Sequence, residues 1–534
     1  MPEYLSPGVY VEEVSSGIKP IEGVGTSTAA FVGRARKGPV NEPLLVTNPS
    51  QFLANFGDLH QDYFLGYGVN NFFVEGGTRC YVVRVFKPTD ADEPTSDFAR
   101  TPDDFTDGKL KVLAKTPGKW GNKIWVMIGD PAFDPNDPDN TIDPKFSLTI
   151  LYSESAEPDL KEDIVEVFES LSMKEFTDNG QPNPYHVELQ INEKSAYIEV
   201  IDQTEDTAPP ANTDTPVQLE EGTDGLSLDA PTDFTGDAPG KGLLAFDTVD
   251  DINIVVIPGL FNSELTNAEA RIASQSAMTY CEKRKDCFFI ADSPDDLIPT
   301  EVLKYKQAQG DDFGTDAGSA FNSSYAALYY PWIKIFDPLR GKVIPFPPSS
   351  SIAGAYSATD IRRGVHKAPA GIVDGRLKTP AGITRNITKG EQDLLNPNGI
   401  NVIRNFPDSG IVVWGARTIT ADPEWKYLNV RRLFLFLEES IDEGTQWVVF
   451  EPNDPVLWAK IVRNISAFLR IQWLEGKLVG NKPEEAFFVR CDSETNPQDS
   501  VDLGRVITVI GVAPSKPAEF VIFRIMQARP GEGA

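Results

Sequence analysis

The two ends of the chain constrain its fold most strongly, because each is a strand-like run next to proline and glycine. The runs cover residues 6–13 and 510–525. A terminal strand that leaves its domain through such a hinge has unpaired backbone N–H and C=O groups, which a sheet edge in another copy can satisfy. We therefore predict polymerisation through an N-terminal arm, residues 1–20, and a C-terminal arm, residues 516–534. The residues expected to pair are Val9, Tyr10, Val11, Phe520, Val521, Ile522 and Phe523.

The negative charge of the chain is concentrated in one segment. The 534 residues have a formal net charge of −30, and residues 87–245 hold 34 acidic and 12 basic side chains, which accounts for 22 of those charges. Loop-like stretches rich in Pro, Asp and Thr alternate there with strand-like runs at residues 123–128, 146–152 and 196–201. We predict an acidic, β-rich domain inserted into a host domain and lying on the outer surface, where charge keeps a large assembly soluble. A specific binding role for this domain is the alternative.

The host segments alternate strands with a helix, in the order of a βαβ unit. The predicted host elements are strands at residues 28–33, 78–85, 252–259, 287–292 and 324–335 and a helix at residues 267–284. The predicted fold class is α/β or mixed α+β, in several domains. The predicted boundaries are residues 21–86 and 246–395 for a discontinuous α/β core domain, 87–245 for the insertion and 396–515 for a C-terminal α/β domain.

Candidate catalytic, metal and cofactor residues are sparse. His60, His186 and His366 lie in unrelated contexts without metal-ligand spacing, and the four cysteines show no CxxC pair. No Walker-type phosphate loop occurs, and an enzyme with an α/β core would need a cluster of titratable residues that the sequence does not suggest. We predict no enzymatic activity, no metal and no cofactor.

The charge and hydropathy of the chain also limit its partners. An acidic protein lacks the clustered Lys and Arg that phosphate neutralisation needs, so nucleic-acid binding is not expected. No run reaches transmembrane length and the N-terminus has no signal-peptide pattern, so we expect no direct membrane insertion. Four cysteines in 534 residues lack the density of a disulfide scaffold, so we expect synthesis in a reducing cytosol.

Two predicted helices near the C-terminus carry informative charges. Arg431 and Arg432 begin a helix predicted at residues 430–441, where positive charge opposes the helix dipole. We expect carboxylates of another subunit to pair with them, with a solvated face as the alternative. A longer helix is predicted at residues 454–476, with Asp454 as its N-cap and an apolar face directed to the core. Its opposite face carries a basic stripe of Lys460, Arg463, Arg470 and Lys477.

Long motifs run in order through most of the chain outside the insertion. They are SPGVYVEEV and IGVAPSKPAEFVIF at the two ends, a loop at residues 364–371, a turn at 395–401, and residues 413–418, 425–433 and 447–454. Together these motifs resemble the contractile tail sheath proteins of phages and of phage-tail-like injection particles. His366 departs from the family pattern, which more often has an aromatic residue at that position.

The resemblance implies a structural subunit that stacks as hexameric rings around an inner tube and contracts to drive the tube through a target envelope. The implied partners are further copies of the chain, the tube protein, and baseplate and terminal cap proteins. In such sheaths the C-terminal domain lines the bore, so the basic stripe is expected to face an acidic tube. The resemblance also implies assembly in the bacterial cytoplasm, as part of a virion or of a particle that is released. A non-contractile lattice, capsid or surface-layer protein is the alternative.

Overall fold

The computed structural model describes residues 20–93, 95–132, 144–177, 179–204, 206–310, 313 and 318–522. The strands in these residues are β1 (Ala29–Gly33), β2 (Leu44–Val46), β3 (Cys80–Arg84), β4 (Leu110–Ala114), β5 (Ile124–Gly129), β6 (Lys145–Tyr152), β7 (Ile164–Ser172), β8 (Ile198–Asp202), β9 (Val217–Gln218), β10 (Ile254–Val256), β11 (Phe288–Asp292), β12 (Ala326–Tyr330), β13 (Ile333–Asp337), β14 (Lys342–Phe346), β15 (Gly382–Ile383), β16 (Ile400–Phe406), β17 (Gly410–Val413), β18 (Phe487–Arg490) and β19 (Val509–Val512).

The α-helices range from a single turn to twenty residues. They are α1 (Pro49–Phe56), α2 (Phe64–Glu75), α3 (Val187–Lys194), α4 (Pro231–Thr235), α5 (Asn267–Arg284), α6 (Pro299–Gln307), α7 (Ser349–Arg363), α8 (Gly371–Asp374), α9 (Lys389–Leu395), α10 (Leu428–Thr445), α11 (Pro455–Leu474), α12 (Pro483–Ala486) and α13 (Gln498–Asp502).

An eight-stranded sheet forms the centre of the molecule, in the order β17-β16-β12-β11-β10-β1-β3-β2. Its inner strands pair in parallel, and the edge strands β2 and β17 are antiparallel to their neighbours. Helices α2 and α7 pack on one face, whereas α5 and α6 pack on the other. Because both faces are covered, the central strands are mostly apolar, and charged residues such as Asp292 of β11 and Arg84 of β3 lie at strand ends. The predicted mixed α/β class is confirmed.

Helix α5 shows why this part of the fold could be predicted. The Thr266 hydroxyl accepts a hydrogen bond from the Glu269 amide (3.3 Å), and the Glu269 carboxylate accepts one from the Thr266 amide (2.8 Å). This capping box satisfies amides that the first turn leaves without helical partners. The observed bounds are those predicted from the sequence.

The continuous strand predicted at residues 324–335 is wrong, because the structure divides it. Strand β12 ends at Tyr330, and β13 begins at Ile333 in a separate antiparallel sheet with β14 and β15. Pro331 lies at the break, where a residue without an N–H cannot continue a central ladder. Residues 328–333 form an unbroken apolar run across this break, so hydropathy alone did not separate the two strands.

The acidic segment builds its own core. Strands β4 and β8 form one sheet and β7-β6-β5-β9 form another, around buried side chains between Ala99 and Leu219. The predicted end of the insertion at residue 245 is too late, because Leu228, Phe234 and Leu243 pack in the core of the main sheet. The insertion returns to the host near residue 226.

The predicted start of the C-terminal domain at residue 396 is too early. Strands β16 and β17 belong to the main sheet, so a boundary there would cut through it. The separate C-terminal core begins with α10 and α11, which pack with the small sheet β18–β19. Among the described residues, no helix is long and apolar enough to cross a membrane.

Candidate assembly surfaces

Helix α11 presents a mixed basic and apolar stripe to solvent. Asp454 caps the helix by accepting a hydrogen bond from the Leu457 amide (2.8 Å), as predicted. The predicted core residues Leu457, Ile461, Ile465, Phe468 and Leu469 are buried. On the opposite face the exposed residues include Val456, Lys460, Arg463, Arg470, Ile471 and Leu474. Three of these are large apolar side chains, which a helix facing only water has no reason to carry.

The basic members of this stripe are free of ion pairs within the described chain. Lys460, Arg463 and Arg470 have no carboxylate within salt-bridge distance among the residues described here. Their charges therefore face solvent in the isolated subunit. A surface of this kind can be covered by an acidic partner that also has apolar side chains.

Lys477 does not belong to this stripe, so its predicted place there is wrong. Helix α11 ends at Leu474, and the Lys477 ammonium turns back to the Glu475 carboxylate (2.7 Å) and to the Gln472 side-chain oxygen (2.6 Å). It also lies over the Phe436 ring at 4.8 Å, and its side chain is only 14% exposed. These contacts all lie within one subunit.

The predicted inter-subunit role of Arg432 is also wrong. Its guanidinium donates to both oxygens of Asp360 (3.0 and 2.6 Å) and to the Thr26 carbonyl (2.9 Å). The two side chains of the pair are 2% and 1% exposed, so no surface remains for another subunit. The carboxylate partner that we expected exists, but it lies on α7 of the same chain.

Arg431 is likewise directed inward. Its guanidinium lies 3.4 Å from the centre of the Trp425 ring and 4.5 Å from that of Tyr325. Stacking on aromatic faces is a favourable environment for a planar cation. The predicted inter-subunit pairing is therefore replaced by aromatic partners within the chain.

The small C-terminal sheet is incomplete as a sheet. Strands β18 and β19 pair only with each other, Phe487 opposite Val512 through Arg490 opposite Val509, within the part of the chain that the structure describes. Its inner face covers α11, and Phe488 and Val509 are exposed. Two strands bury little surface, and among the described residues both edges of this sheet are open, an arrangement that further strands can extend.

The C-terminal arm has three consecutive exposed apolar residues. Phe520, Val521 and Ile522 are 71%, 69% and 79% exposed and belong to no helix or strand. Three consecutive exposed apolar residues are typical of a segment that another surface covers. The remaining predicted arm residues, Val9, Tyr10, Val11 and Phe523, lie outside the described residues.

Two domain families of known proteins match the chain. Residues 241–419 match the phage tail sheath protein central domain, and residues 420–528 match the phage tail sheath C-terminal domain. Together the matches cover more than half of the sequence. The chain belongs to the phage tail sheath family. The resemblance predicted from the motifs is confirmed.

Individual sheath proteins show how far the similarity extends. The tail sheath protein of Vibrio phage KVP40 is 26% identical over 279 residues, which are 50% of this chain and 40% of that protein. The chain thus spans less than half the length of this relative. The sheath complex of the extracellular contractile injection system PVC, in its contracted state, has a TM-score of 0.57 at 21% identity, over 99% of each chain. The helical sheath of the anti-feeding prophage in its contracted state gives 0.57 at 22%, over 98% and 99%. The sheath fold is shared along nearly the whole chain.

One largely buried contact of this chain was not predicted. Arg417 and Glu519 form a two-pronged ion pair with side chains that are 8% and 18% exposed. Glu519 is the single charged residue in the apolar run from Ala518 to Phe523, which was the available signal. Burial alone would raise the pKa of Glu519, but hydrogen bonds from Arg417 and Asn396 outweigh it and lower that pKa.

Proposed function

We propose that this chain is the sheath subunit of a contractile tail or injection particle. In this proposal, copies stack as hexameric rings around an inner tube, and the sheath shortens to drive the tube through a target envelope. The role is mechanical rather than enzymatic. Assembly takes place in the bacterial cytoplasm, with baseplate and terminal cap proteins at the two ends of the sheath. The finished particle is either part of a virion or is released from the cell.

The observation that carries this proposal is the open sheet β18–β19 beside an exposed apolar arm. A strand from another copy can complete the sheet by backbone hydrogen bonds, and Phe520, Val521 and Ile522 offer side chains that lack cover in the isolated subunit. Such contacts join different surfaces of the two copies, so they propagate into rings and helices instead of closing as dimers. The related PVC and anti-feeding prophage proteins are contracted sheaths.

The basic and apolar stripe of α11 supports a second contact, with the tube. We assign Lys460, Arg463 and Arg470 to this contact, together with Val456, Ile471 and Leu474. Charges that have no ion-pair partner among the described residues can steer an acidic surface into register, and the apolar residues contribute burial when water is excluded. Lys477, Arg431 and Arg432 are not part of the proposed interface.

Electron microscopy of the chain produced alone tests the arm-exchange proposal. We expect hollow helical tubes from the full-length chain and dispersed monomers from a variant lacking residues 1–19, because each copy must donate an arm to extend the polymer. Circular dichroism serves as the control that both proteins are folded. A folded full-length chain that stays monomeric, or that forms flat lattices or closed shells, would contradict the proposal.

A further inference from the structure

Three motifs that are distant in sequence from the C-terminal arm converge on its start. The turn at residues 395–401 contributes Asn396, and the segment after β17 contributes Arg417. The loop before α10 contributes Lys426 and Tyr427, and Asn429 lies in the first turn of α10. In the fold these segments surround residues 515–519.

Glu519 is the centre of this arrangement, which we name the Glu519 socket: Asn396, Arg417, Lys426, Tyr427 and Glu519. Arg417 donates from Nε to one carboxylate oxygen and from Nη2 to the other, both at 2.7 Å. Asn396 donates at 2.7 Å and the Tyr427 hydroxyl at 3.1 Å, while the Lys426 ammonium lies 3.6 Å away. Charge-assisted, two-pronged bonds of this kind hold both position and orientation.

The socket itself is rigidly built. Arg417 also donates to the Asn396 carbonyl (2.8 Å), and its own amide donates to the Asn401 side chain (2.8 Å). Gly415 lies so close to Asn401 that an added Cβ would come within 2.8 Å of the Asn401 side-chain oxygen. Close backbone approach at this glycine therefore allows Arg417 to reach the arm from the edge of the main sheet.

A second attachment lies four residues before Glu519. The Ser515 amide donates to the Lys477 carbonyl (3.2 Å), and the Asn429 side chain donates to the carbonyls of Ser515 (3.3 Å) and His366 (2.7 Å). Residues 515–519 are thus fixed at both ends. The next three residues are largely exposed, so the arm changes from held to free directly after Glu519.

We infer that the Glu519 socket is the anchor of the C-terminal arm and that Glu519 is its positioning residue, fixing where residues 520–522 leave the subunit and hence which neighbouring copy receives them. The inference rests on the proposed function, since it concerns delivery of the same arm. Without the socket the arm would emerge about four residues earlier, from Ser515. Each extended residue adds about 3.3 Å of reach, so the arm would sweep a region roughly 13 Å wider in radius.

The experiment compares Glu519→Ala and Glu519→Gln with the unchanged full-length chain. Chymotryptic cleavage after Phe520, identified by mass and measured on the unassembled fraction of each protein after sedimentation, reports release of the held segment, because the protease needs the residues around that bond in an extended form. We expect cleavage roughly 10-fold faster for Glu519→Ala, in line with the loss of charged hydrogen bonds. We expect a smaller increase for Glu519→Gln, whose amide oxygen can still accept. Electron microscopy should show absent or irregular tubes for Glu519→Ala.

Two controls make the outcome specific. Glu494→Ala removes a carboxylate from an exposed ion pair with Arg490 in the same domain, and it should change neither cleavage nor tube formation. Deletion of residues 520–534 keeps the socket and removes the arm, so it should prevent tube formation in a folded chain.

The possible failures are distinguishable. Tubes of unchanged geometry from Glu519→Ala, beside normal tubes from the full-length chain, would overturn the anchor and leave the proposed function standing. A full-length chain that forms no tubes would overturn both. Unchanged cleavage after Phe520 in Glu519→Ala would show that the socket does not hold the arm.

Discussion

Arg432 and Asp360 form a buried contact that a single substitution can break. We expect Arg432→Ala to lower the free energy of unfolding by about 3–5 kcal/mol, because removing the cation leaves an unpaired carboxylate in the interior. Urea denaturation in a background lacking residues 1–19 measures this loss without interference from polymerisation. Arg470→Ala is the matched control, since removal of an exposed arginine should cost less than about 0.5 kcal/mol. Equal losses for the two variants would contradict the expectation.

Glu439, on α10, makes the stability of the subunit depend on pH. Burial raises the pKa of Glu439 to about 8, with further contributions from Asp286, Glu443 and Asp251, while Arg284 opposes the shift. A glutamate side chain in the unfolded chain has a pKa of about 4.3. The folded chain therefore holds this proton to a higher pH than the unfolded chain does, so the native state loses stability as the pH rises from about 4.3 to about 8.

The corresponding variant is Glu439→Gln, which cannot ionise. After allowance for solvent screening of a half-buried group, we expect it to be more stable than the unchanged chain by about 1 kcal/mol at pH 8 and by less at pH 5. Urea denaturation at both values measures the difference. Glu484→Gln, at an exposed position, should show no such trend. A stability gain from Glu439→Gln that is larger at pH 5 than at pH 8 would contradict a raised pKa of Glu439 in the folded chain.

At the scale of secondary-structure elements, substitutions on helix α11 test the proposed tube contact. Reversal of charge at Lys460, Arg463 and Arg470, each to Glu, should prevent assembly around an acidic tube, because attraction becomes repulsion at three positions on one stripe. The monomer should unfold as before, since none of these side chains has an ion-pair partner among the described residues. Co-sedimentation with the tube protein, followed by electron microscopy, measures the effect.

The matched control applies the same change in charge elsewhere. Lys283, Lys334 and Lys342 are exposed on the main domain, and their reversal to Glu alters the net charge by the same amount. This variant should retain co-sedimentation with the tube. Normal sheathed particles from the α11 variant would exclude the stripe as the tube-facing surface.

The helices also show which sequence signals are reliable. Helices α5 and α11 were predicted to within about two residues, because a capping residue and a regular apolar face are local signals. Helix α7 was not predicted: it begins with three buried serines and is buried on nearly every side, so it has no polar face to reveal the helical period. The Glu519 socket was missed for another reason. Its members lie 92 to 123 residues from Glu519, and only the folded chain brings them together.

At the scale of the whole molecule, the acidic insertion is expected to be removable. Its two ends meet, since the Leu226 amide donates to the Lys87 carbonyl (2.8 Å), and its core is formed by its own residues. We expect a variant in which a short Gly-Ser linker replaces residues 88–225 to unfold cooperatively. Its midpoint should be lower, because Arg84 loses the Pro117 carbonyl and keeps those of Ala35 and Gly38.

The same variant tests the role of the insertion in assembly. Under the proposed function it should still form tubes, with lower solubility, because much of the acidic surface is gone. Thermal denaturation and electron microscopy measure the two properties. Folded monomers that no longer polymerise would show that the insertion makes a contact between subunits.

The domain boundaries illustrate what composition can and cannot predict. The shift in charge located the insertion, but charge does not report packing, and Leu228, Phe234 and Leu243 belong to the host core despite acidic neighbours. The end of the main domain was placed too early for a similar reason. Strands β16 and β17 follow a turn that resembles a linker, and only their pairing with β12 assigns them to the main sheet.

The buried pair of Arg432 and Asp360 has a mechanical consequence. It ties α10 of the C-terminal region to α7 beside the main sheet, and the Arg432 bond to the Thr26 carbonyl adds the segment before β1. Under the proposed function, force applied to the C-terminal region of a subunit would therefore reach the main sheet with little bending inside the subunit. Each subunit would then rotate as a rigid body during contraction. The change in angle between neighbouring subunits would occur in the terminal arms that connect them.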